Sequence, residues 1–128
     1  MSEWKWVNRR VLLLLHDESL VEHGGAGGIR DEGLLDSALN RPVNLALYGE
    51  PDIASLAASY GVGLAKNPAF VDGNKRVAFL AVGMFLAVNG YRLQATQAAA
   101  TLTMLDLAGG QMQEADFAHW IRSHLKPR

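Results

Sequence analysis

Apolar positions along the chain fall into helical runs, separated by short stretches rich in Gly, Pro, Asn and Asp. The first run extends from Trp4 to about His23. Val7, Val11, Leu14 and Leu15 form its apolar stripe, with Val21 further along, and Gly24 and Gly25 stop it. Asp31 is placed to cap a short second helix through Leu39, with Leu34, Leu35, Ala38 and Leu39 facing inward; Pro42 ends the segment. Arg41 to Pro51 reads as an irregular loop, bounded by prolines and partly apolar. Asp52 caps a third helix, about Ile53 to Asn67, in which Ile53, Leu56, Ala57, Tyr60 and Leu64 keep helical spacing. Gly61 and Gly63 are poor helix formers and predict close packing against a neighbour. Pro68 breaks that helix. The fourth run, Asn74 to Asn89, carries Val77, Phe79, Leu80, Val82, Met84, Phe85, Leu86 and Val88 on every side, which predicts a place at the centre of a bundle. Tyr91-Arg92-Leu93 is short enough to be extended. A fifth helix starts near Thr96 and carries Leu102, Met104, Leu105 and Leu107; a sixth, about Gln113 to Leu125, packs Phe117, Trp120, Ile121 and Leu125. The fold class is therefore read as all-α: a single domain, 1–128, built as a bundle of about six helices around the buried helix 74–89.

Composition narrows the class without choosing a function. With 128 residues, 49% hydrophobic and 20% charged, the chain can bury a real core and has an ordinary globular make-up. A formal net charge of −1 makes no electrostatic case for a nucleic-acid partner. No apolar run approaches the ~20 residues that span a bilayer, so no membrane role is expected, and Leu12 to Leu15 are too short for a signal-peptide core. There is no Cys, hence no disulfide frame and no thiolate nucleophile. The expected location is cytoplasmic.

Candidate chemistry crowds into Phe70-Val71-Asp72-Gly73-Asn74-Lys75-Arg76. Gly73 permits a turn, and Asp72 or Gly73 can cap a helix that begins near Asn74. Lys75 and Arg76 then stand at the positive end of a helix, where cations are disfavoured. Such a start suits a bound anion, most simply phosphate, and Asp72 could hold Mg²⁺ against it. The plainer alternative is a surface helix start in which Asp72 caps and both cations face water. Gly24 to Gly28 lacks the Gly-Lys-Ser/Thr of a phosphate loop and no strand precedes it, so it reads as a flexible connection. His16-Asp17-Glu18 reads as a solvated helix face, and His119 and His124 as surface or packing residues.

The stretch Phe-x-Asp-Gly-Asn-Lys-Arg resembles the core of the Fic-family signature, in the form found in death-on-curing (Doc) toxins. Those toxins carry Lys where other Fic proteins have Gly, as at Lys75, and lack the second Arg of the signature, as at Phe79. The segment from Gly24 to Leu39, with Gly-Ile-Arg-Asp-x-Gly-Leu-Leu-x-Ser-Ala-Leu at its core, is similar to the same toxins, as is Asn89-Gly90-Tyr91-Arg92-Leu93. The resemblance runs from about Val11 to about Ile121. It implies a Fic-like helical fold and a nucleotide-dependent protein modifier, either a phosphotransferase or an AMP-transferase. For the Doc branch it implies a kinase-like transfer of the terminal phosphate of ATP to a Thr of translation elongation factor Tu, which inhibits translation. Mg²⁺ and ATP are the implied cofactors, and an antitoxin whose disordered tail folds into a groove is the implied partner. Asp72 would hold Mg²⁺, Gly73, Asn74 and Lys75 would bind phosphate, Arg76 would clamp the phosphate next to the transferred group, and Phe70 would anchor the loop. The resemblance also implies that residues 41–51 form a flap beside the site.

One departure bears on the chemistry. The family's catalytic His, which takes the proton of the modified hydroxyl, falls at Pro68. Proline has no titratable group and no N–H. Loss of a general base commonly costs about 10²–10⁴-fold in rate. Two readings follow: a Doc-like toxin impaired by loss of that His, or a non-catalytic relative that keeps a nucleotide or phosphate site.

Overall fold

The computed structural model describes residues 3–128. Helix α1 (Arg9–His23) starts where the Asn8 side chain accepts a hydrogen bond from the Val11 N–H at 3.1 Å. Residues 3–8 are irregular, so the helix expected from Trp4 begins later. Trp4 and Trp6 lie against Phe85 instead, with ring centroids 6.1 and 5.8 Å away, and the Val7 N–H donates to Tyr60 Oη at 3.0 Å. The buried stripe of α1 is Leu12, His16 and Leu20. Val11, Leu14 and Val21, expected inward, face solvent; among consecutive leucines, spacing alone does not choose the inward face.

Helix α2 (Glu32–Tyr48) is capped by Asp31, whose Oδ1 accepts from the Leu34 N–H at 3.0 Å. It does not end at Pro42 but runs through it, so most of the loop expected over 41–51 is helical. An interior Pro forfeits one backbone hydrogen bond, yet its φ is already helical. Here Pro42 is buried with Leu35 and Ala38. On the preceding residue, Arg41 donates to Glu114 Oε2 at 2.9 Å and to Ser59 Oγ at 3.0 Å, which pins the helix on both sides.

Helix α3 (Ile53–Lys66), capped by Asp52 as expected, is buried at every residue but Ser55 and Lys66. Its Ala, Gly and Ser content lets neighbours approach from all sides. A Cβ on Gly61 would stand 2.5 Å from Phe117 and 3.2 Å from Val82, and one on Gly63 would stand 3.3 Å from the Ala38 backbone. Helix α4 (Asn74–Val88) buries Val77, Ala78, Ala81, Val82, Phe85 and Leu86 and leaves Phe79, Leu80 and Met84 half-buried. The helix 74–89 is thus packed on the centre, and α3 is the centre itself. Large apolar side chains mark α4 in the sequence; small ones are what allow α3 to be enclosed.

Strand β1 (Tyr91–Leu93) follows, then α5 (Gln97–Ala108), capped by Thr96, and α6 (Glu114–Ser123). Leu102 and Leu105, expected inward on α5, are exposed; Ala100, Thr103, Met104 and Leu107 are the buried face. The last helix ends at Ser123, and Leu125 belongs to strand β2 (Leu125–Pro127), which pairs antiparallel with β1, Arg92 opposite Lys126. The fold is all-α with this one small ribbon. No helix among the described residues is long and apolar enough to cross a membrane.

Two outcomes test this packing. Leu56→Ala, at a fully buried α3 position, is expected to cost about 2–5 kcal/mol in denaturant unfolding, and Leu80→Ala, half-buried on α4, clearly less. Arg122, and then the Ser55 N–H, hold the Asp52 carboxyl down at about 2 from an ordinary 3.8. A lowered carboxyl stabilises the fold above the ordinary value and loses that effect as pH falls through the lowered one. Both partners are about half exposed, so the pair contributes about 1 kcal/mol or less. Asp52→Asn keeps a capping oxygen; its stability deficit should shrink as pH drops from about 4 towards 2.

Candidate functional site

The loop between α3 and α4 is closed by one side chain. Asn74 Oδ1 accepts from the Phe70 N–H at 3.0 Å, and Asn74 Nδ2 donates to the Phe70 carbonyl at 3.0 Å. Both ends of the amide are spent on the loop, which drives the Phe70 ring into the core at 1% exposure. The second support comes from the segment before α2. The Val71 N–H donates to the Gly28 carbonyl at 3.1 Å, and the Arg30 and Asp31 N–H groups donate to the Ala69 carbonyl at 2.7 and 3.0 Å. Arg30 also donates to the Pro68 carbonyl at 2.6 Å, a structural role. The glycine-rich turn, expected as a flexible connection, is therefore one wall of the site.

Gly73 takes the cap position of α4 with φ +76°, a left-handed conformation that glycine adopts at little cost. Asp72 does not cap the helix: its Oδ1 accepts from the adjacent Gly73 N–H at 2.9 Å. No side chain caps α4, and no acidic residue stands in its first turn. The helical ladder begins with the Val77 N–H on the Gly73 carbonyl at 2.9 Å, so the N–H groups of Asn74, Lys75 and Arg76 have no intrahelical acceptor. Lys75 is exposed. Arg76 donates to the Gly24 carbonyl at 3.2 Å while its Nε is buried without a partner. Three backbone donors without an intrahelical acceptor and two cations at a positive helix end are an arrangement that can receive an anion, a candidate anion site.

Helix α1 adds His16, a residue that the sequence reading gave to a solvated helix face and assigned no role. His16 is 2% exposed, its ring centroid is 4.2 Å from that of Phe70, and neither ring nitrogen has a hydrogen-bond partner. Burial lowers its pKa below the ordinary imidazole value; Asp17 and Asp72 pull the other way and Arg76 with the burial. Only Asp17 and Glu18 of the triplet form the solvated face expected for all three. The signal was available: Leu12, His16 and Leu20 stand four residues apart, one above another on a helix.

Pro68, at the position of the missing imidazole, is exposed, and its carbonyl faces Arg30. Among the described residues no group of three or more His, Asp or Glu is placed to hold a metal. Asp72, exposed beside the anion site, suits Mg²⁺, which binds through one or two carboxylates together with phosphate oxygens. Residues 43–51 do not stand at this end of α4. Val43, Ala46, Leu47, Gly49, Glu50 and Pro51 line a separate cavity of about 720 Å³ with Trp4 and Trp6, whose rings lie against Phe85 near the far end of the helix, so the flap expected beside the site lies elsewhere. Beside Lys75 and Arg76, a groove of about 860 Å³ runs between α4, β1 and α5, with Phe79, Leu80, Met104 and Leu105 on its apolar wall and Arg92 and Arg128 along it.

A family model described as Fic/DOC family matches residues 6–86, which takes in α1, the glycine turn, the loop and most of α4. The chain belongs to the Fic/DOC family. It is 44% identical over 78 residues to a protein named Toxin Doc from Mycolicibacterium smegmatis, a match covering 59% of each chain. It is 30% identical over 112 residues to Protein kinase doc of Escherichia phage P1, covering 87% of this chain and 88% of that one. In this Fic/DOC chain the motif Asn shapes the loop through its side chain and leaves its main-chain N–H at the open start of α4. Asn74→Ala leaves the Phe70 N–H and carbonyl without their partner; a stability loss of about 1–3 kcal/mol is expected in denaturant unfolding, with the Phe70 loop first to lose hydrogen-exchange protection.

Proposed function

We propose that this chain is a Doc-like toxin of a toxin–antitoxin pair, a kinase that transfers the terminal phosphate of ATP to a Thr of elongation factor Tu in the cytoplasm and so inhibits translation. The observation that carries the reading is the start of α4, where three backbone N–H groups without an intrahelical acceptor, Lys75 and Arg76 converge with no acidic residue in the helix's first turn. The likeness to the phage kinase supports it. Phosphoryl transfer asks little covalent chemistry of a protein; it needs alignment and compensation of charge on the phosphate oxygens. The N–H groups of Asn74, Lys75 and Arg76 receive those oxygens. The Lys75 ammonium reaches them from solvent. Arg76 exchanges its Gly24 carbonyl for a phosphate oxygen, a charge-assisted hydrogen bond and hence the stronger one. Mg²⁺ on Asp72 would further neutralise the phosphates. The groove between α4 and α5, apolar with Arg92 and Arg128 along it, suits an amphipathic acidic segment, and the antitoxin tail is the occupant this reading gives it.

Pro68 favours a second reading, a non-catalytic relative that binds a nucleotide or a partner through the same pocket. Incubation with Mg²⁺, ATP labelled at its terminal phosphate and elongation factor Tu separates the two: label on the factor supports the kinase, and ATP binding without transfer by this chain supports the binding protein. In either case Lys75→Ala and Arg76→Ala should each weaken ATP binding about tenfold to a hundredfold by calorimetry. Unchanged affinity in both variants would remove the anion site from the account.

A further inference from the structure

We propose that His16 takes the acceptor's hydroxyl proton in this chain, in place of the imidazole that position 68 lacks; the inference rests on the phosphotransferase reading above. Leucine at position 16 would continue the stripe of Leu12 and Leu20 without burying polar atoms. The chain instead carries an imidazole with two unpartnered nitrogens, enclosed beside the motif loop. A buried polar group without a partner is costly, and such groups persist where a ligand or a reaction supplies the partner.

The ring is also aimed at the loop. A Cβ on Gly73 would lie 2.9 Å from His16 Cε1, the carbon bonded to both nitrogens, so the nitrogen-bearing edge packs against the α4 start, where a side chain at position 73 would crowd it. The charged groups around the ring are Asp17 on its own helix, Asp72 on the loop and Arg76 on α4. Asp17, on the same helix, favours the ring once it has taken a proton, and burial keeps it neutral beforehand.

Access follows from the anion site. Arg76 holds the Gly24 carbonyl, and Gly25 stands so close to Asp72 and Leu20 that a Cβ there would lie 2.9 Å from each. Leu20 in turn lies against Gly73. A phosphate that takes Arg76 releases the glycine turn from this cluster and opens the ring edge to the incoming hydroxyl. In the step itself the hydroxyl oxygen bonds to the terminal phosphorus. The bond from that phosphorus to the bridging oxygen breaks, and ADP leaves with the electron pair. The hydroxyl proton goes to a ring nitrogen of His16, which later returns it to water.

The test compares the chain, His16→Gln, Pro68→His and the double variant in the labelled-ATP assay, with ATP affinity measured alongside. Expected is a loss of about 10²–10⁴-fold in transfer for His16→Gln at unchanged ATP affinity, with transfer regained in the double variant, which also shows that the substituted fold is intact. Transfer by His16→Gln at the rate of the original chain overturns the proposal. So does a silent original chain beside an active Pro68→His. Silence of both refutes the phosphotransferase reading, and this inference with it. A readout apart from activity is the ¹⁵N resonance of the His16 ring nitrogens in histidine-labelled protein. Addition of Mg²⁺ and ATP should shift them, and unmoved resonances would make His16 a core residue only.

Discussion

The site depends on the two hydrogen bonds between the Asn74 amide and the backbone of Phe70. They turn five residues into a closed loop, and every other feature is referred to that loop. Phe70 is carried into the core, where its ring meets His16. Gly73 is left at the head of α4 in a conformation that opens the helix start. The backbone of residues 68–71 is presented to residues 28–31, which fasten to it through Gly28, Arg30 and Asp31. Because α4 lies against the enclosed α3, the donors at its head are held by the core and not by solvent.

Electrostatics at that head is unbalanced by design of the sequence. A helix start ordinarily has an oxygen cap and acids in its first turn; this one has no side-chain cap, and its one acidic neighbour, Asp72, stands before the cap. Its two cations are handled differently. Lys75 goes to water, whereas Arg76 is folded back onto the Gly24 carbonyl with its Nε buried and unpaired. A neutral carbonyl is a weaker partner for a guanidinium than a phosphate oxygen. The hydrogen bond to Gly24 therefore keeps this end of α4 compact, and an anionic oxygen would be the better partner for Arg76.

Much of the fold was legible because its signals are local. Asp31, Asp52 and Thr96 cap their helices through N–H groups three residues ahead, so a few letters of sequence contain the whole interaction. The Asp72–Arg76 segment was legible for the same reason, being a turn, a helix start and its first two side chains. Helix α2 was not, because what carries it through Pro42 is Arg41 meeting Ser59 and Glu114 from two other helices. The centre of the bundle was placed on α4 because hydropathy weighs large side chains, whereas close approach around α3 is set by Gly61 and Gly63 against Phe117 and Ala38.

By itself the sequence determined the starts of α2 to α6, the gathering of Lys75 and Arg76 at the head of α4 and the want of an imidazole at position 68. These rest on residue type and on spacings within one helical turn. Only the tertiary structure decided that Asn74 spends its amide on the loop, that Gly24 occupies Arg76, and that His16 lies buried against Phe70 with its nitrogens unpaired. The last two are contacts between segments some fifty residues apart. Hydropathy counts a histidine as polar surface, and only packing shows which face of α1 is turned inward.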